Sequence, residues 1–317
     1  TIDAAAPGVG LPVGQRVAVW APLGCRVRNQ VSVCPSCAAG FDGLCERRDD
    51  SWPDRGLSIG FNRETGGGWA DCCLAHESQL HPMPESVSDR EAVLLDPAAT
   101  ALAALLRSET AETRSTLIIG GGTIGLLAAR LVTALRRPGH CEILVRHLFQ
   151  ADLAAETGVP VHHVGPGGFP DWAAGHGMTS RRVPTYGHVW RGIYDRVIDT
   201  AGSPSSLAWA LASTRPGGQV VLASGAANIR NFDPTPLWYR EMTVRGILVY
   251  GPVPWEGRSV HPYAVLIPML AAGSLVLSGV ITHELPLSEL PTALSIAAGR
   301  ARSRAVKVVL RGGHPRP

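Results

Sequence analysis

Hydrophobic and polar positions alternate in two different rhythms along this chain. Up to about residue 97, apolar residues come in short runs such as Val17-Ala18-Val19, set among glycines and prolines. That texture predicts short strands and loops. From about residue 98 the rhythm changes. Short apolar runs alternate with longer stretches whose apolar residues recur at helical spacing. Strands are predicted at Thr116–Gly120, Glu142–Val145, Arg196–Asp199, Gln219–Ala223 and Val244–Tyr250. Helices are predicted between them, among others at Ala98–Leu106 and Phe149–Gly158, with breakers at Pro138-Gly139, Ser203-Pro204 and Pro216-Gly217-Gly218. Such alternation builds an α/β, doubly wound parallel sheet. After residue 251 comes one amphipathic helix, Pro262 to Ala272, then strand-like Ile281–Pro286 and Ala305–Leu310. The polar tail from Arg311 to Pro317 is expected to fray. The pattern therefore divides the chain into a strand-rich part, residues 1–97, an α/β domain, residues 98–251, and a return to the first part, residues 252–317.

The first predicted strand of the α/β domain runs into Gly120-x-Gly122-x-x-Gly125, and a helical apolar pattern follows (Ile124, Leu127, Ala128, Leu131). Strand before and helix after is the context a dinucleotide-binding turn requires. Gly120 permits the tight turn, Gly122 lets a pyrophosphate approach the backbone, and Gly125 lets helix and strand pack closely. The phosphates would sit on the free N–H groups at the start of the helix, where Thr123 and Ile124 lie. Ligands in such sheets bind at the carboxyl ends of the strands. This adds Thr200, Ala201 and Gly202 after the fourth strand, Ser224 and Gly225 after the fifth, and Tyr250 at the end of the sixth. The acidic residue that holds the ribose 2′-hydroxyl in NAD-binding domains is absent. Its position falls on Val145, followed by Arg146. Valine offers no hydroxyl acceptor, whereas Arg146 suits a 2′-phosphate, so the cofactor is expected to be NADP in preference to NAD.

Composition narrows the class. A chain of 317 residues can bury the cores of two domains. Its net charge of +3 is spread out and gives no basic stripe for nucleic acid. The apolar stretches Leu117–Leu135 and Val265–Ile281 are interrupted by glycines, a proline or an arginine, so no membrane segment is expected. The reading is of a cytoplasmic protein. Four of its seven cysteines crowd into one lobe: Cys25, Cys34, Cys37 and Cys45. In a reducing compartment, Cys34-x-x-Cys37 with two flanking thiols points to a structural zinc with four sulfur ligands. Cys72, Cys73 and Cys141 read as packing residues in strand-like contexts.

With these pieces in order, the chain resembles the zinc-containing medium-chain alcohol dehydrogenases. The resemblance rests on Val13-Gly14-Gln15-Arg16-Val17, the cysteine lobe, Gly66-Gly67-Gly68-Trp69-Ala70 and Leu94-Leu95-Asp96-Pro97 ahead of the fingerprint. It continues with Asp199-Thr200-Ala201-Gly202, Pro216-Gly217-Gly218, Arg240-Glu241 and Lys307-Val308-Val309-Leu310. Sorbitol- and threonine-dehydrogenase-like members are most similar. The resemblance implies a Rossmann sheet beside a GroES-like β-barrel catalytic domain carrying the zinc lobe. It also implies a homo-oligomer that moves a hydride between an alcohol or carbonyl substrate and NADP or NAD. The family's usual first lobe cysteine falls on Val31 here, and Cys25 is expected to replace it through a longer loop. Asp96 stands where relatives carry a glutamate near the catalytic zinc, and on the residues alone it also reads as the cap of a helix starting at Ala98. The family's remaining catalytic-zinc ligands precede the position of Thr1, so the chain is expected to be a fragment without a complete catalytic site. His76, His81, His162, His163 and His283 read as surface or non-ligand residues. A zinc-free quinone-reductase-like protein and a non-catalytic nucleotide-binding protein are the alternatives.

Overall fold

A computed structural model describes residues 1–48, 56–62, 64–137, 139–184, 187–225, 228–230 and 232–313. Pro138 and residues 314–317 of the tail lie outside the described residues. Two compact units divide the chain: residues 1–99 with 249–317, and residues 100–248.

The first unit starts with two short antiparallel strands, β1 (Val17–Val19) and β2 (Leu80–Pro82), in register Val17↔Pro82. The cysteine lobe between them holds a single helical turn, α1 (Pro35–Ala38). Proline at its first position fits a helix start, where no N–H is needed. Ser88 caps α2 (Asp89–Ala92) by accepting the Glu91 N–H at 3.3 Å. The next helix, α3 (Leu95–Leu106), contains the unit boundary. It begins three residues before the expected Ala98, so Asp96 lies in its first turn and not at its cap.

The second unit is built on six parallel strands: β3 (Ser115–Ile119), β4 (His140–Val145), β5 (Val161–His163), β8 (Tyr194–Asp199), β9 (Thr214–Leu222) and β10 (Thr243–Gly246). They lie in the order β10-β9-β8-β3-β4-β5. The order reverses between β3 and β8, the point where ligands bind in such sheets. Leu117, Ile118 and Ile119 are all buried, as a strand covered on both faces requires. Helices α4 (Thr123–Ala134), α5 (Leu148–Ala155), α6 (Gly168–Gly175) and α7 (Pro204–Ser213) follow β3, β4, β5 and β8, and α8 (Thr235–Tyr239) precedes β10. One core packs Leu117, Ile119, Leu144, Phe169, Val197 and Leu211 together.

Three features depart from the expected pattern. Between α6 and β8 an antiparallel hairpin appears, β6 (Thr179–Val183) and β7 (Gly187–Arg191). Its polar strands carry no apolar run to announce them. Pro216-Gly217-Gly218 does not end β9. Pairing with β8 jumps from Tyr194↔Thr214 to Arg196↔Gln219, so these residues bulge out of a continuing strand. The last strand stops at Gly246, short of the expected Tyr250.

The chain then rejoins the first unit through the hairpin β11 (Val253–Trp255) and β12 (Arg258–Val260), helix α9 (Pro262–Ala271), and the parallel pair β13 (Ile281–Pro286) and β14 (Lys307–Arg311). Helices α10 (Leu290–Ala298) and α11 (Arg300–Ser303) lie between the last two strands. Among the described residues no helix is long and apolar enough to cross a membrane.

Candidate functional site

The turn from β3 into α4 is shaped by close approach. Gly120 has φ of +118°, and a Cβ there would lie 2.7 Å from Thr200 Oγ1. A Cβ on Gly125 would fall 1.9 Å from the Gly120 carbonyl oxygen, so the helix leaves the strand at a distance only glycine allows. Gly122 is the N-cap, and a Cβ there would meet nothing within 4 Å. No side chain caps α4 and no acidic residue occupies its first turn. Thr123 and Ile124 thus open a helix whose N-terminal partial positive charge borders open space.

The neighbouring strand ends converge on this turn. Thr200 Oγ1 donates to the Ile119 carbonyl at 3.0 Å. Asp199, at the end of β8, accepts from the N–H groups of Ala201 (2.9 Å) and Gly202 (3.1 Å) and from Ser206 Oγ (3.0 Å). Its carboxyl is raised by burial, and these donors oppose the rise. A Cβ on Gly202 would lie 2.7 Å from Ser224 Oγ, which places the loop after β9, with Ser224 and Gly225, against the loop after β8. Ser224 Oγ is buried without a hydrogen-bond partner. An orphaned hydroxyl beside an open helix N-terminus fits a bound polar group. Val145 is buried at the end of β4, and Arg146 after it is exposed. His163 Nε2 meets the Arg146 carbonyl at 3.1 Å, leaving the guanidinium out of that contact.

Tyr250 lies beyond the last strand of the sheet. It belongs to the first unit, buried, with its hydroxyl 3.0 Å from Asp96 Oδ1 and 2.9 Å from the Tyr263 hydroxyl. The sixth strand stops short of Tyr250 although the apolar run continues past the residues that pair in the sheet. Asp96 keeps contact with solvent, yet the protein packed around it raises its carboxyl, opposed by the Tyr250 hydroxyl and Lys307. Around this pair the sequence reading missed a cluster of rings. His81 stacks on His261 at 4.6 Å, and Trp20 meets His261 edge-on at 4.7 Å. His81, read as a surface residue, is half-buried, and burial lowers its imidazole. Burial lowers His261 further, to about 3, with His81 adding to the effect. A histidine beside Pro82 on one strand and a histidine before Pro262 on a helix carry no joint signal in the sequence.

The cysteine lobe closes as a unit. Cys25, Cys34, Cys37 and Cys45 are all buried, and their sulfurs lie within 4.8 Å of one another. Cys25 Sγ is 3.7 Å from Cys45 Sγ, and Cys34 N–H donates to Cys25 Sγ at 3.4 Å. Burial pushes the Cys34 thiol up, but hydrogen bonds, the Cys37 backbone first, outweigh it and bring the thiol down to about 7. Burial pushes Cys37 up. Four buried sulfurs at this spacing match the donor set of a closed tetrahedral zinc site. Val31, at the family's usual position, is fully exposed. Cys72 and Cys73 are exposed and outside any strand, which corrects their reading as packing residues; Cys141 lies in β4.

No family model matches the chain. An L-threonine 3-dehydrogenase of Legionella pneumophila is 26% identical over 293 residues, covering 91% of this chain and 74% of that protein. A probable zinc-binding alcohol dehydrogenase of Mycobacterium tuberculosis is 30% identical over 312 residues, covering 96% of this chain and 70% of that protein. The chain belongs to the zinc-binding alcohol dehydrogenase family. An alcohol dehydrogenase from Escherichia coli solved with NADH shares the fold, with a TM-score of 0.76 at 20% identity over 97% of this chain and 80% of that one. As a zinc-binding alcohol dehydrogenase, the chain is an oxidoreductase that exchanges a hydride between an alcohol or carbonyl and a nicotinamide dinucleotide. Relatives of this kind do not favour the zinc-free or the non-catalytic alternative.

Proposed function

We propose that this chain interconverts a small secondary alcohol and its ketone with NADP(H) in preference to NAD(H). The observation that carries the reading is the end of β4 beside the open N-terminus of α4. There the buried Val145 replaces an acid, and the exposed Arg146 follows it. An aspartate at that position would repel a 2′-phosphate. Valine does not, and a guanidinium can grip the phosphate with paired charge-assisted bonds. One such interaction contributes about 1.5–3 kcal/mol, on the order of tenfold or more in affinity. The N–H groups at the start of α4 receive the pyrophosphate, Thr200 to Gly202 line its path, and Ser224 Oγ supplies a further donor or acceptor. The substrate class follows the relatives, among them a threonine 3-dehydrogenase and a D-xylulose reductase, whose reacting carbons bear secondary alcohols or their ketones.

Cys25, Cys34, Cys37 and Cys45 would hold a structural zinc that ties the lobe together. A catalytic zinc, when bound, polarises the substrate oxygen. Asp96, which accepts from the Tyr250 hydroxyl, is the carboxylate this chain would contribute beside it. Residues 1–99 with 249–317 would form the catalytic part, and 100–248 the nucleotide-binding part. The free thiols suit a reducing cytoplasm, and the exposed edge strand β10 suits a homo-oligomer. The test is direct binding of NADH and NADPH, followed by fluorescence, on wild type and Arg146→Ala. NADPH should bind at least tenfold more tightly to the wild type only. Equal affinities, or a preference that survives loss of Arg146, would remove this account of cofactor choice.

A further inference from the structure

The second unit contains a cavity that the fingerprint does not use. It encloses about 310 Å³ and is walled by strand β7, one flank of α7, and residues of two nearby stretches, Ile229 with Arg230 and Phe232 to Arg240. None of Gly120 to Gly125, Thr200 to Gly202, Ser224 or Gly225 lines it. Its size is at the lower end of ordinary small-molecule sites. Most of its wall is apolar: Trp190, Leu207, Leu211, Phe232 and Tyr239. Leu207 and Leu211 are buried, while Phe232 and Tyr239 are 42% and 38% exposed. Two aromatic rings so open to solvent beside a hydrophobic hollow present flat faces to an aromatic or acyl group.

The charges on the wall do not cancel. Arg240 is buried and donates only to neutral acceptors, the backbone carbonyls of Trp190 (3.1 Å), Thr214 (3.0 Å) and Leu211 (2.6 Å). Buried guanidinium groups are ordinarily met by a carboxylate or another anion. Arg230, exposed, lines the same cavity. The single acid on the wall, Asp233, accepts the Thr235 N–H at 2.9 Å at the start of α8. The described wall thus carries two cations and one carboxylate, an excess of one positive charge.

We propose that this cavity is a second ligand site, separate from the dinucleotide site, for a small monoanion with a flat apolar body, such as an aromatic or short acyl carboxylate. The rings and leucines bury the body, and the Arg230 end receives the anionic group. Ala208, exposed on α7, lines the cavity, so a larger side chain there would intrude on it. No bond is made or broken at the site.

The probe is 8-anilinonaphthalene-1-sulfonate, an aromatic monosulfonate whose fluorescence rises on binding, titrated into the full chain. One probe should bind per chain and stay bound when NADPH saturates the protein. Ala208→Trp should weaken the probe at least tenfold, with NADPH affinity and near-UV circular dichroism unchanged. Val189→Trp fills the cavity from the hairpin side and should do the same, so a folding defect in one variant leaves the other to decide. As competitors, 1-naphthoate should displace the probe at least tenfold better than uncharged 1-naphthol, and Arg230→Gln should erase that advantage. Displacement of the probe one-for-one by NADPH would place it at the fingerprint and overturn the proposal. So would binding indifferent to both tryptophan variants, or equal competition by naphthol and naphthoate.

Discussion

Replacing two glycines of one turn by alanine or serine should separate folding from cofactor binding. At Gly125 the added Cβ would lie 1.9 Å from the Gly120 carbonyl oxygen and 2.8 Å from Thr200 Oγ1. The nearer obstacle is backbone at the end of a buried strand and cannot rotate aside. Alanine at a helical position gains about 1 kcal/mol over glycine. Overpacking a close contact costs about 1–3 kcal/mol, and a collision with fixed backbone belongs at the upper end. The clash therefore wins, and Gly125→Ala should destabilise the protein by roughly 2 kcal/mol, a fall in Tm of about 4–8 °C for a domain of this size. Gly122 is the opposite case. Its φ of −84° is open to any residue, and the space beside it is empty. Serine is also a better N-cap than alanine. Gly122→Ser should leave Tm unchanged or slightly raised, yet weaken dinucleotide binding at least tenfold by filling the phosphate's place. Thermal unfolding by circular dichroism and NADPH titration by fluorescence read the two quantities. A Gly125→Ala protein as stable as wild type, or a Gly122→Ser protein with unchanged affinity, would refute the packing argument or the cradle, respectively.

Purified protein should carry one zinc in the cysteine lobe by metal analysis. Cys34→Ser and Cys25→Ser should each lose it, while Cys72→Ser should not; zinc retained in Cys25→Ser would exclude that residue as a ligand. Burial raises the Asp195 carboxyl, but Arg215 and the Arg114 and Ser115 N–H groups outweigh it and hold the carboxyl down at about 2. A carboxyl lowered on folding stabilises above its unfolded value, about 3.9, and loses that contribution as pH falls toward 2. Urea titrations should show stability dropping between about pH 4 and pH 2, with a shallower slope in Asp195→Asn; an identical slope would show that other groups govern the acid limb. Tyr250→Phe should free the Asp96 carboxylate from its 3.0 Å donor and lower turnover with little change in cofactor affinity. Unchanged turnover would remove Tyr250 as its positioning residue.

The sequence by itself determined the parallel sheet and its cofactor turn. Leu117 to Ile119, Ile143 to Val145 and Val197 to Ile198 are runs that only a strand covered on both faces buries, and the strands formed within a few residues of the expected places. Glycine spacing located the turn because the constraint there is local: strand, turn and helix are consecutive, and backbone contacts fix which positions lack a side chain. Tertiary structure alone decided what depends on residues far apart in the chain. Cys25 reaches Cys45 through a loop whose length differs from the family's, and no local rule sets the path of a loop. The β6–β7 hairpin forms from polar residues because Trp190 packs against the domain core, a contact no period reveals. Tyr250 follows an apolar run that reads as strand, but its hydroxyl is claimed by Asp96, more than 150 positions earlier. His81 and His261 became neighbours in the same way. Periodicity records which face of an element is buried; the partner that covers it is chosen by packing across the whole unit, and sequence pattern holds no record of that choice.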